Sequence, residues 1–251
     1  MLLAHISDLH IGQDYRGDGG VRALERARRV VNYLNGLPGD LDGVLVSGDL
    51  ADHGRPDEYA TVRELLATLR FPVLACPGNH DDRTAYRTTL LGEEAGTEPI
   101  NQLHQLGGFT IAMCDSSIPG RNEGLLDDTT LTWLDKVIAE SEDPVLVCFH
   151  HPPVPMRQPF IDSILLRNPE QLAEVLTDEV VAVLCGHAHT AATTTYAGRP
   201  LVVAPGVVST LVLPVEGDHS IDYGLPPAIA FHVFGTDDTG GRGLITHFRS
   251  L

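Results

Sequence analysis

The chain has 251 residues, 43% apolar and 20% charged, the balance of a soluble globular fold with ample length for a core. Asp and Glu number 34 against 17 Lys and Arg, a formal charge of −17, which argues against unaided binding to duplex nucleic acid or to an anionic membrane. No run approaches the ~20 apolar residues of a membrane helix: the richest stretch, Leu201 to Val215, is broken by Pro205, Gly206 and Pro214. The start, Met1 to Asp8, has no basic stretch and no cleavage site, so a secretory leader is not expected. Cys76, Cys114, Cys148 and Cys185 lie far apart, each in an apolar run, which fits buried thiols in a reducing cytoplasm.

Short β-like runs alternate with amphipathic stretches. Leu2–Ile6 reads as a strand. Val21, Leu24, Ala27, Val31 and Leu34 recur near helical spacing up to Leu37, where Pro38-Gly39 stops the helix. Gly43–Ser47 is a second strand. A helix follows from Pro56 to Leu69, with Pro in its first turn and Asp57 and Glu58 behind it. Further strands are Phe71–Cys76, Phe109–Met113 and Val145–Phe149. Between the last two, Leu131, Leu134, Val137 and Ile138 share one helix face. Asn168-Pro169-Glu170 reads as a helix start with Asn as its cap. Val180–Cys185 is the next strand.

From about residue 190 the texture becomes β-rich, with short strands at Thr193–Tyr196, Leu201–Val203, Thr210–Leu213, Ala228–Phe234 and Leu244–Phe248. Two packed sheets with helices outside are expected. No Ser/Gly linker marks a boundary, so one domain over residues 1–251 is expected, its C-terminal part completing the second sheet and a pocket rim.

Five polar clusters follow strands: Asp8-Leu9-His10; Gly48-Asp49 with Asp52 and Gly54; Gly78-Asn79-His80-Asp81; His150-His151-Pro152; and Gly186-His187-Ala188-His189. Ligands bind beyond the carboxyl ends of strands in α/β folds, so all five are expected on one rim. Asp, His and Asn donors without Cys select hard to borderline divalent ions, Mn, Fe, Zn or Co. Seven donors exceed the need of one ion, and two ions sharing a carboxylate would use them all, the arrangement suited to displacement at phosphorus. In an extended strand end, Asp8 and His10, and likewise His187 and His189, would point the same way. Each cluster alone is ordinary turn chemistry; their joint occurrence at successive strand exits is what carries the reading.

The set resembles the calcineurin-like metallophosphoesterase family, whose pattern is D-x-H, G-D-x-x-D-x-G, G-N-H-D/E, H-x-P and G-H-x-H. The opening His-Ile-Ser-Asp, Gly54 to Tyr59, Gly78 to Asp82 and His150 to Pro153 resemble its class III cyclic nucleotide phosphodiesterase and glycerophosphodiesterase branch. The resemblance implies a four-layer αββα sandwich of two mixed sheets. It implies that Asp8, His10 and His189 bind one divalent ion, Asn79, His150 and His187 the other, and that Asp49 bridges them. His80 would stay off the metals and face the scissile phosphate, and Asp52, Asp81 and His151 would support the ligands.

The activity implied is hydrolysis of a small phosphodiester by metal-activated hydroxide, with 3′,5′-cyclic nucleotides such as cAMP first and glycerophosphodiesters second. A phosphomonoesterase, a nuclease and a non-catalytic scaffold are the alternatives; the charge and the 6% aromatic content speak against a nuclease. The segments Ser116–Gly124 and Pro205–Pro227 are the expected pocket rims, with Ser209, His219 and Tyr223 as substrate contacts. A homo-oligomer, dimer or higher, is compatible with the acidic pI and the apolar run Leu211–Val215.

Overall fold

The computed structural model describes residues 1–236 and 242–251. In chain order, β1 (Leu2–Ile6), α1 (Val21–Asn35), β2 (Gly43–Ser47), α2 (Pro56–Leu66) and β3 (Val73–Cys76) come first. A short helix α3 (Arg83–Ala85) runs on into a π-helical turn over Tyr86–Leu91. Then come β4 (Gln102–Leu106), β5 (Phe109–Met113), α4 (Asp128–Glu140), β6 (Val145–Cys148), α5 (Pro159–Asp162), α6 (Pro169–Val175) and β7 (Val180–Cys185). The chain continues through β8 (Ala192–Tyr196), β9 (Arg199–Val203), β10 (Thr210–Leu211), β11 (Ile221–Asp222), β12 (Ala228–Thr236) and β13 (Arg242–Ser250).

Two mixed sheets form, in the orders β13-β12-β1-β2-β3 and β4-β5-β6-β7-β9-β8. The pairs β1–β2, β2–β3, β5–β6, β6–β7 and β7–β9 are parallel and the others antiparallel. Strand β2 (GVLVS) is buried throughout, as a strand covered on both faces must be. Leu3, Leu45 and Leu74 of the first sheet pack on Ile111, Met113, Leu146 and Leu184 of the second. Val30 and Leu34 of α1 and Tyr59 and Val62 of α2 cover the outer face of the first sheet over Ile6, Val44 and Val46. Leu131 and Leu134 of α4 and Leu172 of α6 cover Val147 and Val183 of the second. Four layers result, α–β–β–α, each buried Leu or Ile contributing about 1.5–3 kcal/mol of transfer free energy.

Several expectations need adjusting. The C-terminal strands divide between the sheets: β8 and β9 complete the second, whereas β12 and β13 extend the first beside β1. Strand β4 was not expected, because it is an edge strand whose Leu103 is half exposed and whose pattern is therefore weak. Its signal is Gly107-Gly108, both at positive φ (57° and 75°), the two-residue hairpin turn into β5. Asn168 occupies the cap position of α6, but its side chain does not cap the helix; Asn168 Oδ1 accepts from Leu126 N and its Nδ2 donates to Leu126 O, tying the helix to a neighbouring loop. At α2, Glu58 accepts from the amides of His53 and Arg55 and closes the helix start.

Candidate metal centre

The exits of β1, β2, β3, β6 and β7 meet at one rim. Asp8 and His10 follow β1, Asp49 follows β2, Asn79 and His80 follow β3, His150 follows β6, and His187 and His189 follow β7. The convergence does not come from strand alternation, as expected above. Asp8, His10, Asp49, His187 and His189 all have left-handed backbones, with φ of 58°, 44°, 50°, 66° and 49°. A non-glycine residue pays roughly 1–2 kcal/mol for that conformation, and such strain concentrates at functional sites. The turns let the chain leave the sheet sharply while keeping each polar side chain inside. Gly78 is required here: a Cβ on it would lie 2.2 Å from Asp49 Oδ1 and 2.5 Å from Asp49 N.

Each imidazole is aimed by a bond at its far nitrogen. His10 Nδ1 donates to Asp52 Oδ1 (2.9 Å), His150 Nδ1 to the Ser47 carbonyl (2.6 Å) and His187 Nε2 to the Ile164 carbonyl (2.9 Å). These partners only accept, so each ring turns its other nitrogen to the centre, a lone pair wherever the histidine is neutral. Those nitrogens face their neighbours: His10 Nε2 lies 3.3 Å from His189 Nε2, and His187 Nδ1 lies 3.2 Å from His150 Nε2. Asp49 Oδ2 sits between the two pairs, 3.4 Å from His10 Nε2 and 3.3 Å from His150 Nε2. Asp8 Oδ1 is 3.1 Å from His189 Nε2 and 3.9 Å from His150 Nε2.

Electrostatics describe the same demand for cations. Burial would lower the His150 pKa, but Asp49, Asp8 and the Ser47 bond outweigh it and carry it up to about 10. Burial opposes ionisation of Asp49 and Asp8, yet the surrounding histidines hold both below the ordinary carboxylate range. His187 is lowered to about 3, by burial first and then by His150, and His10 is lowered by burial against the pull of Asp52 and Asp49. Asp8 Oδ1 and Asn79 Oδ1 are buried acceptors without a hydrogen-bond donor. Converging ring nitrogens, two buried carboxylates and two donorless oxygens fit a set of ligands for divalent ions. Asp8, His10 and His189 lie within ligating reach of one another, as do Asp8, Asp49 and His150.

The supporting residues differ in kind. Asp52 orients His10, and its carbonyl accepts from His80 Nδ1 (2.8 Å). Asp81 accepts from the amides of Leu50, Ala51 and Gly78 and from the Tyr59 hydroxyl, clamping the loops after β2 and β3 together. His151 Nδ1 meets Ser116 Oγ at 2.8 Å, its ring centroid 4.9 Å from that of His150 and 4.6 Å from that of His187. His80 lies edge-on to His10, its side chain 39% exposed. Burial lowers its pKa, but Asp49 and the Asp52 carbonyl raise it by more.

A cavity of about 200 Å³ opens over the cluster, lined by His80, Asn122, Phe160, Ile164 and Tyr223 among others. A larger one of about 460 Å³, between Phe109, Arg199 and Phe234, contains none of the cluster residues. Tyr223 stands where a substrate contact was expected. Ser209 also lines the cavity, though it is 1% exposed and its hydroxyl is 2.7 Å from His189 Nδ1, where it fixes that ring. His219 is exposed and is not among the residues lining the cavity. Phe160 and the Ile164 carbonyl were not singled out from the sequence; a half-exposed Phe and a main-chain partner leave no local pattern.

Residues 1–191 match the model of the calcineurin-like phosphoesterase family. The chain is 36% identical over 220 residues to a probable cyclic nucleotide phosphodiesterase of Rhodococcus erythropolis, covering 85% of this chain and 73% of that one. It is 36% identical over 216 residues to the glycerophosphodiester phosphodiesterase GpdQ of Enterobacter lignolyticus, covering 83% and 78%. It is 34% identical over 221 residues to a cAMP/cGMP dual specificity phosphodiesterase of Mycobacterium tuberculosis, covering 85% and 70%. In fold it matches a dimetal phosphatase from Danio rerio with a TM-score of 0.66 at 18% identity, over 98% of each chain. Fold, strand-exit motifs and relatives agree, and the chain belongs to the calcineurin-like phosphoesterase family.

Proposed function

We propose that residues 1–251 act as one metallophosphoesterase domain that uses two divalent ions to hydrolyse small phosphodiesters. The substrates are 3′,5′-cyclic nucleotides first and glycerophosphodiesters second, the activities named for the relatives above. The observation that carries the reading is Asp49 Oδ2, placed 3.4 and 3.3 Å from one imidazole nitrogen on either side. Asp8, His10 and His189 would hold one ion and Asn79, His150 and His187 the other, with Asp49 shared. Bound there, the pair would supply Lewis acidity toward phosphate oxygens and acidify water near neutral pH. Mn, Fe, Zn and Co all suit these donors.

The chain's own residues do the rest. Asp52 and the carbonyls of Ser47 and Ile164 fix which nitrogen each histidine offers. His80 spends Nδ1 on the Asp52 carbonyl and keeps Nε2 for the cavity. Its role is to protonate the leaving alkoxide, worth typically ~10²–10⁴-fold. His80→Ala then costs more on an alkyl diester than on a nitrophenyl diester, and equal losses remove the acid role. Steady-state rates on cAMP, glycerophosphocholine and a phosphomonoester, with Mn-loaded protein, test the substrate class. Preference for the monoester overturns the diesterase reading.

No helix among the described residues is long and apolar enough to cross a membrane. Four buried free cysteines support work in a reducing compartment such as the cytoplasm. Self-association fits the exposed Leu213, Val215 and Leu225, and sedimentation velocity gives the oligomeric state.

A further inference from the structure

We propose that the cavity over the cluster binds a planar aromatic base of the diester between Tyr223 and Phe160, an inference that rests on the phosphodiesterase reading. Phe160 is a large apolar side chain left 49% exposed while lining the cavity. It is not a loose residue. In its one-turn helix α5, Gln158 Oε1 accepts from Ile161 N (3.0 Å) and Asp162 Oδ1 accepts from Met156 N (2.6 Å). The carbonyl of Ile164, four residues on, is the one that aims His187. The turn that carries Phe160 is therefore fixed relative to the His150–His187 half of the centre.

Tyr223 belongs to the other half. Its ring stacks on Tyr15 with centroids 4.6 Å apart and planes 30° apart. The Arg22 guanidinium lies 5.1 Å from the Tyr15 centroid and 5.6 Å from that of Tyr223. Arg22 also donates to the Val208 carbonyl, in the segment that carries Ser209 to His189. Tyr15 is not among the residues lining the cavity, so the stack is a backed wall whose front is Tyr223.

Two aromatic side chains, one carried by each half of the centre and both lining the cavity, are placed to take a flat group attached to a phosphate on the floor. A glycerol substituent offers nothing for them to stack on. A quaternary ammonium could use aromatic faces, but Arg22 already places a cation on the Tyr223 ring, and a second cation there meets like charge. A neutral nucleobase has no such conflict.

The test uses full-length Mn-loaded protein and two readouts. Calorimetry compares AMP with ribose 5-phosphate, which differs by the base alone. Kinetics compare kcat/KM for cAMP with that for glycerophosphoethanolamine. Wild-type protein is expected to bind AMP the more tightly. Tyr223→Leu and Phe160→Leu should each lower the AMP preference and the cAMP-to-glycerophosphoethanolamine ratio by roughly 5- to 150-fold, the range of base–aromatic stacking. Tyr223→Phe should restore both ratios, which a merely structural tyrosine hydroxyl would not allow. Diester turnover with both ratios unchanged in both Leu variants overturns the slot alone. No turnover of either diester by wild-type protein overturns the underlying reading, while the AMP preference still reports on the slot.

Discussion

The Tyr59 hydroxyl, 22 positions before Asp81 in sequence, ties α2 to the loop that carries Asn79 and steadies the Asp81 carboxylate, which in turn binds the loop that carries Asp49. It donates to Asp81 Oδ1 (2.9 Å) and accepts from Asp82 N (2.8 Å). Burial and then the Asp81 charge push its pKa far above the ordinary phenol value, so it remains a donor at every working pH. Tyr59→Phe keeps the ring and opens no cavity. It removes one bond to a charged group, about 1.5–3 kcal/mol, and leaves the Asp82 amide without this partner, so a total of roughly 2–4 kcal/mol is expected. For a domain of this size that is a Tm lower by about 4–16 °C. The pH dependence gives the sign. Burial and the charge of Asp49 raise the Asp81 pKa to about 6 in the metal-free protein. Its raised value means that Asp81 favours the folded state most below the ordinary carboxylate pKa and loses that contribution as pH rises through about 6. Because Tyr59 bonds best to the ionised form, the penalty of Tyr59→Phe should be larger at pH 8 than at pH 5. Thermal unfolding of metal-free wild type and variant at both pH values is the assay. Equal Tm at pH 8, or a penalty confined to pH 5, refutes the clamp.

Ser209→Ala removes the hydroxyl at His189 Nδ1 and should weaken metal affinity by about 10- to 100-fold, read by chelator competition, with Tm changed little. Gly78→Ala forces a Cβ against Asp49, backbone included, and should lower both metal content and stability, read by elemental analysis and thermal unfolding. His5 and His232 form a buried pair with Nδ1 and Nε2 3.0 Å apart. Burial lowers both, His5 to about 3. The unfolded chain therefore binds more protons below about pH 6.5, where stability should decline by roughly 2 kcal/mol for each histidine on the way to pH 5; denaturant titrations should find that slope flattened in His5→Gln.

The sheets and most helices were legible because β1, β2, β6 and β7 are short apolar runs and α1 and α4 keep helical spacing. The centre was legible because its residues sit at strand exits in a recurring order. What escaped was set by groups far apart in sequence. The left-handed turns at Asp8, His10, Asp49, His187 and His189 fall on non-glycine residues, whose type does not announce them, and persist only because the packed rim holds them. Ser209 lines the cavity as expected, but its bond to His189 Nδ1, twenty positions away, had no local signal. Phe160 belongs to a single turn too short for periodicity.

Two cations per chain, held by side chains from separate strand exits, is the claim on which the hydrolysis depends. Titrating metal-free protein with Mn while recording heat and proton release tests it most directly. Two ions per chain, with proton uptake by buffer as His150 gives up its proton and with sharply reduced content in Asp49→Ala, is the result expected. Binding of no ion, or content indifferent to Asp49→Ala, contradicts it.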